Sequence, residues 1–551
     1  MTDPKESSIV RGDSGRISRT RRSASPLISR MTNDLVSHIK DVQIPQEKIR
    51  VGQYLLCPPD YRQIMRWAKT FGLEALELLD LLEESKWSGR DPDCESKPDE
   101  HKIGPLKFEI HNGSIHSLVW DFNKLTYLPD EWEQGLKISS IGFRGKSNGT
   151  LSLSGAHLPA IKEIVCNDCQ LFSLRLRDLR NLKKLDCSGN DLESLDLRST
   201  EEIEVLLCQR NRFESHLDMG IQRLPLLTTL SCDNNQLCTL DLNSLSNLLN
   251  LSCDGNQIAS LDLAHTPNLI SLYCSDNRLS ALDLTPVPKL EVLGCDGNRL
   301  CELHLGMVSD LEMLSCRSNQ LTSLDLSTLG NLIGLRCDNN KLSTLILVKE
   351  SKMVSLICGT NELTKLNLGT APSLEELDCS GNQLTTLDLT VSPSLTELRC
   401  DENQLTDLDL SSTPSLIRLY CGWNMIRFLD ITNAPLLEEL SCFGNPLTSV
   451  DVSEDHEHQG GVTDAALAAI ETWASFFQKK ESPISDTKST KDDEAVAEAL
   501  AERYTEEQLI MALYTLTHPS SDTSKRIVDL CAEYTAEQLI IACYILNNPR
   551  P

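Results

Sequence analysis

The side chains in this chain most capable of chemistry are its 21 cysteines. A thiol can bridge, ligate zinc or attack as a thiolate, and each role requires particular company. Fourteen of them fall at Cys166, Cys187, Cys208, Cys232, Cys253, Cys274, Cys295, Cys316, Cys337, Cys358, Cys379, Cys400, Cys421 and Cys442. The step is 21 residues throughout, except 24 between Cys208 and Cys232. Three residues after each stands an asparagine, from Asn190 to Asn445; after Cys166 the place is taken by Cys169. So regular a spacing gives all fourteen thiols one structural position, where free cysteine acts as a small hydrophobe. Apolar burial raises a thiol pKa and makes the group inert.

Cys166-x-x-Cys169 has the form of half a zinc site, but no second pair stands at zinc spacing and both residues fall on the repeat. Asp455-His456-Glu457-His458 lies in a polar stretch past the last cysteine and reads as a solvated loop. A row of aspartates, Asp196, Asp241, Asp262, Asp283, Asp325, Asp388, Asp409, Asp430 and Asp451, raises the thought of calcium. The calcium-binding solenoid motif is glycine-rich with a shorter period. Turn hydrogen bonding and solubility account for the row better. No metal and no cofactor is expected.

The elements behind this spacing can be read from one repeat: Leu374-x-x-Leu377-x-Cys379-x-x-Asn382-x-Leu384-x-x-Leu387-Asp388-Leu389. Leu377 and Cys379 are two apart and point to one side of a strand. Leu374 and Leu384 flank that strand and fold inward at the turns. Leu387 and Leu389 form a second pair on the opposite wall. One repeat is thus a coil with an apolar inside that it cannot bury alone, and stacking closes the core. Each asparagine sits where the chain leaves the strand, placed to satisfy buried backbone groups.

This pattern resembles the leucine-rich repeat family, and more narrowly its 21-residue bacterial subclass called IRREKO, whose second half reads L-x-x-L-D-L. Leu405-x-x-Leu408-Asp409-Leu410 is a second good match. The resemblance covers roughly residues 160–452, and the family consensus tolerates the cysteine at position 169. It implies a repeat solenoid of parallel β-strands in a curved or superhelical array, and a protein-binding role without a particular ligand.

The array is expected to begin before the first ladder cysteine. Ile115-x-x-Leu118-x-Trp120-x-x-Asn123-x-Leu125-x-x-Leu128 keeps the spacing with Trp120 in the cysteine slot, and residues 136–158 look like a degenerate copy. The expected organisation is a disordered Ser/Arg-rich tail (1–50), an N-terminal helical module and linker (51–101), degenerate capping repeats (102–158) and the solenoid (159–452). A C-terminal cap helix (453–480), a linker (481–492) and tandem helix-turn-helix repeats (493–551) follow. In the helical module Leu73, Leu76, Leu79 and Leu82 are expected to share one face, with Gly72 separating two short helices. The cap helix carries Trp473, Phe476 and Phe477. In the tandem repeats, Tyr504–Tyr514 recurs as Tyr534–Tyr544, each copy opening with a capping box, Thr505 with Gln508 and Thr535 with Gln538.

Composition narrows the function classes. Aromatics are 5% of the chain, so the core must be aliphatic. The 80 acidic and 52 basic residues leave a net charge of −28, which argues against phosphate-backbone binding and favours a basic protein partner or simple solubility. No run of about 18 apolar residues exists, so no membrane span is expected. The first 30 residues lack the apolar core of a secretory signal and instead carry Arg11, Arg16, Arg19, Arg21, Arg22 and Arg30 among serines. So many free thiols point to a reducing compartment, hence the cytoplasm, or to export into a host cell by a route that needs no signal peptide.

Binding is expected on the strand face, through the residues that alternate with the inward leucine and cysteine. Most are small or charged. The departures are Tyr273, Ile357, Tyr420, Trp423 and Phe443, with Arg336 and Arg399 in the same rows. Tyr, Trp and Arg are enriched at interface hot spots, while Trp423 and Phe443 can equally pack beneath a C-terminal cap. Leu345–Met353 and Phe213–Arg223 break the repeat and are either contact sites or drifted copies. Catalysis is not expected. Some leucine-rich repeat effectors carry a catalytic-cysteine ligase domain, but Cys531 and Cys543 sit in helical apolar patterns without a Cys-x-Asp motif, and His518 is the sole histidine of the tandem repeats. The expected function is a non-catalytic interaction scaffold, or an exported effector engaging a host protein.

Overall fold

A computed structural model describes residues 48–84, 107–112, 114–147, 149–214, 221, 224–243 and 245–451. The Ser/Arg-rich tail, the linker at 86–101, most of the Phe213–Arg223 insertion, the cap helix, the second linker and the tandem helical repeats lie outside the described residues.

The described chain opens with an antiparallel pair, β1 (Ile49–Val51) and β2 (Tyr54–Leu56). Helix α1 (Pro58–Phe71) follows, started by proline in its first turn. It ends at Gly72, whose φ of +67° is the left-handed conformation that closes helices, with the Leu73 N–H bonded to the Ala68 carbonyl at 2.8 Å. Helix α2 (Ala75–Glu84) buries Ala75, Leu78, Leu79 and Leu82. Leu76 is exposed, so the apolar face differs from the one expected. The helix starts only at Ala75, and the i, i+3, i+4, i+7 spacing from that residue selects its inner face.

The helices pack against the first repeats. Trp67 of α1 meets Trp120 edge to face at 5.0 Å, and the buried carboxylate of Asp60 accepts the Ile115 N–H at 3.0 Å. They belong to the same hydrophobic cluster as the repeats. A stack of coils has an open apolar end, and here α1 and α2 cover it.

The main sheet begins with β3 (Glu109–His111), antiparallel to β4 (Ser114–Asp121). Then β5 (Ser140–Arg144) pairs in parallel with β4. Next come β6 (Thr150–Ser154) on the opposite wall, β7 (Glu163–Val165) beside β5, and β8 (Ser173–Arg177) paired with β6. From Lys184–Asp186 to Glu439–Ser441 each coil adds one three-residue parallel strand, giving seventeen strands in the sheet. The sheet is open: the last strand bonds only its predecessor, and β3 bonds only β4. Trp120 pairs with Phe143 in register, so the cysteine column continues backwards as aromatic side chains at the capped end. The Leu345–Met353 irregularity stays in register, with Met353 buried and the Ser351 N–H bonded to Thr370 O at 2.9 Å. No helix among the described residues is long and apolar enough to cross a membrane.

Every ladder cysteine is a buried thiol outside any disulfide, and burial pushes thiols such as Cys274 and Cys316 well above their ordinary pKa. Two residues after each cysteine the backbone turns left-handed, at Asp276, Ser318, Glu402 and Trp423 among others, and at glycine in Gly255, Gly297 and Gly381. That turn delivers the asparagine side chain inward. The Asn298 amide donates to Cys274 O of the preceding coil at 2.9 Å, to Cys295 O at 3.1 Å and to Asp296 O at 3.1 Å. Its oxygen accepts the Leu279 N–H at 2.9 Å. The same bonds recur from Asn190 to Asn445 and stitch each coil to its predecessor. On the opposite side, aspartates of the L-D-L element accept the N–H two residues on, as Asp283 does from Thr285 at 2.9 Å and Asp409 from Ser411 at 2.9 Å.

Candidate protein-binding surface

Inward positions of each coil are spent on leucine and cysteine, so any recognition must use the outward ones. On the strand face these are the two residues before the inward strand leucine and the two that flank the cysteine. Over the eleven coils from Cys232 to Cys442 they comprise thirteen carboxylates and four arginines (Arg317, Arg336, Arg399, Arg418).

The structure brings two of the expected site residues together. The Arg399 guanidinium lies 4.3 Å from the centroid of the Tyr420 ring, one coil on. Arg399 also bonds Glu397 at 2.9 Å, and Arg418 bonds the other oxygen of Glu397 at 2.7 Å. Against the effect of burial, these two arginines hold the Glu397 carboxyl below its ordinary range. Burial and a bond to Glu439 push the Tyr420 phenol up to about 12. The cluster is internally paired, with Glu397, Arg399 and Tyr420 half-buried and Arg418 exposed.

The remaining expected residues are spread out. Tyr273 and Arg336 stand on strands three coils apart; Arg336 is exposed, whereas Tyr273 and Ile357 are half-buried. Trp423 occupies the left-handed turn position at φ +54°, and its ring leans over Gly444, where an added Cβ would come within 2.8 Å of the indole. Phe443 packs against the core. Trp423 and Phe443 thus sit at the edge of the strand face, apart from its centre.

Small or charged as the outward positions are, most of the aspartates that follow the cysteines are substantially buried and bond the next coil. Asp254 accepts the Ser275 N–H at 2.7 Å, Asp296 the Arg317 N–H at 2.9 Å, and Asp401 the Gly422 N–H at 2.8 Å. The strand hydrogen bonds skip that N–H, and a carboxylate one coil earlier lies within reach of it. Burial raises Asp401 to about 7.

Two features were missed in the sequence. The first is an apolar stripe across six consecutive coils: Leu249, Ile270, Val292, Met313, Ile333 and Val354, with Met313 47% and Ile333 39% exposed. Glu291 and Glu312 are exposed beside it. Lining up the two columns before the strand leucine would have revealed it. The second is a pairing of large side chains with glycine on the neighbouring coil. A Cβ on Gly294 would meet the Tyr273 ring at 3.1 Å, and one on Gly334 would meet the Met313 methyl at 2.7 Å. The readable signal is a glycine 21 residues after the large residue.

A stack of parallel three-residue strands, an asparagine ladder and an aliphatic core define a leucine-rich repeat solenoid. The family described as Leucine Rich repeats (2 copies) matches residues 372–413. The described coils have the leucine-rich repeat fold, and their 21-residue spacing is consistent with the bacterial subclass. No curated protein matches it. Among solved structures it is similar to the functional domain of InlJ from Listeria monocytogenes, described as including a cysteine ladder. Identity is 29% over 48% of this chain and 64% of that one, with a TM-score of 0.42. It is also similar to YopM, a leucine-rich effector protein from Yersinia pestis, at 24% identity over 58% of this chain and 85% of that one, TM-score 0.47. A leucine-rich repeat protein of Leptospira interrogans is 22% identical over 62% of this chain and 87% of that one, TM-score 0.49.

Proposed function

We propose that the chain is a non-catalytic scaffold that binds a basic protein partner on its strand face. The observation that carries this reading is the set of exposed carboxylates on that face, Glu291, Glu312, Glu375 and Glu438, beside an apolar stripe on which Met313 and Ile333 are exposed. Carboxylates at this density steer a positive partner and repel nucleic acid, while the stripe supplies the apolar contact that gives a complex its lifetime. The pre-formed Arg399–Tyr420 contact adds an aromatic anchor that is already held in place by Glu397, which lowers its ordering cost on binding.

Capture from lysate of the producing cell, and from a eukaryotic host lysate, tests this with Glu312→Lys/Met313→Ala and Tyr273→Ala/Arg336→Ala/Tyr420→Ala chains as controls. A partner lost with both variants, and released by raising salt from 0.1 to about 0.5 M, supports the strand face. A partner retained by both moves binding elsewhere. The polar Ser/Arg-rich N-terminus favours a second reading, an exported effector, and a partner found only in host lysate supports that one.

A further inference from the structure

We propose that the arginine-rich segment at residues 11–30 of this same chain occupies the acidic strand face and is displaced by an incoming partner. This rests on the reading of that face as the binding surface. The exposed carboxylates of the face suit a cationic occupant, and the chain contains one. Six arginines and a single acid, Asp13, fall within residues 11–30, against a net charge of −28 for the whole. The opposing carboxylates include Glu291, Glu312, Glu375 and Glu438, all exposed at equivalent positions of their coils.

Reach is sufficient. The described chain begins at Lys48, just before β1 at the capped end. The eighteen residues between Arg30 and Ile49 span up to roughly 60 Å when extended. The strand at Val292–Gly294 is tenth in the sheet, about 40 Å from its first strand at ~4.8 Å per step. Residues 11–30 add a further ~65 Å of reach, enough to run on to the Cys442 coil. A tethered segment acts at an effective concentration on the order of millimolar, so weak charge pairing suffices to hold it. An extended chain of arginines suits a row of carboxylates set at equivalent positions of successive coils.

Tryptic cleavage of the full chain within residues 11–30, followed by intact mass at about 20 mM salt, tests the proposal. Cleavage is expected to be about tenfold faster in Glu291→Gln/Glu312→Gln/Glu375→Gln/Glu438→Gln than in the unmodified chain, with the difference vanishing at about 0.5 M salt. Equal rates at low salt overturn it. A nona-arginine peptide separates this failure from failure of the binding surface. It is expected to bind Arg16→Ser/Arg19→Ser/Arg21→Ser/Arg22→Ser/Arg30→Ser about tenfold more tightly than the unmodified chain. Equal affinity for both rejects the internal occupant and keeps the surface, and binding to neither rejects both.

Discussion

The ring of Tyr273 lies over Gly294, its neighbour one coil on, at a distance that leaves no free space for a side chain there: an added Cβ would stand 3.1 Å from the ring. Tyr273 and Gly294 are in register on adjacent parallel strands, so the glycine sets where the ring rests.

Gly294→Val is therefore expected to lift Tyr273 off the sheet. The half-buried Tyr273 ring can swing outward to make room, so the stability loss should stay near 1 kcal/mol, the range of most single substitutions. Partner affinity should fall several-fold. Thermal melting alongside binding separates the two effects; a loss of stability of several kcal/mol would show that the glycine serves the fold instead.

The asparagine ladder predicts a larger effect. Asn298→Ala removes a side chain making four buried backbone hydrogen bonds. At roughly 1–3 kcal/mol for each buried group left unpaired, and with water entering to recover part of it, a loss of about 3 kcal/mol is expected in denaturant unfolding. Because each coil contacts only its neighbours, the damage should stay local, broadening the transition as cooperativity weakens. A change below about 0.5 kcal/mol would mean the ladder contributes little.

Asp401 makes stability depend on pH in a definite direction. Burial raises its carboxyl to about 7, from 3.8 in an exposed chain. Between those values the folded state holds a proton that the unfolded state has released, so stability falls as pH rises from about 4 to 7 and levels above. The slope is at most about 1.4 kcal/mol per pH unit. Asp401→Asn keeps an oxygen for the Gly422 N–H and should remove this component, leaving a flatter profile. An unchanged profile would place the titration elsewhere.

Thiol reactivity should divide the cysteines by exposure. Cys301 is exposed, and Cys238 is partly so, while the ladder thiols are buried and raised in pKa. A thiol reagent at pH 8 should label Cys301 first among the described residues, with the ladder reacting at the rate of unfolding. Rapid labelling of Cys316 or Cys358 in the native chain would contradict the packing.

The repeat itself was legible because its cause is local and recurs. A leucine and a cysteine two apart, with an asparagine three further on, dictate an inward pair and a turn in any stacked coil, so spacing alone carried the fold. The candidate site was legible in part: Arg399 and Tyr420 were both named, but their contact lies between coils, at a sequence distance of 21. The same is true of the inter-coil role of Asp254, Asp296 and Asp401, whose partners lie 21 residues on. Helix α2 showed its length and amphipathic character, yet which leucines face inward depended on where it starts, and that is settled by packing on the Trp120 end of the stack. What the sequence by itself determined is the coil, its ladder and its acidic charge. Only the tertiary structure decided which outward side chains share a neighbour, because stacking sets residues one repeat apart side by side and makes a carboxylate either a surface charge or a backbone cap.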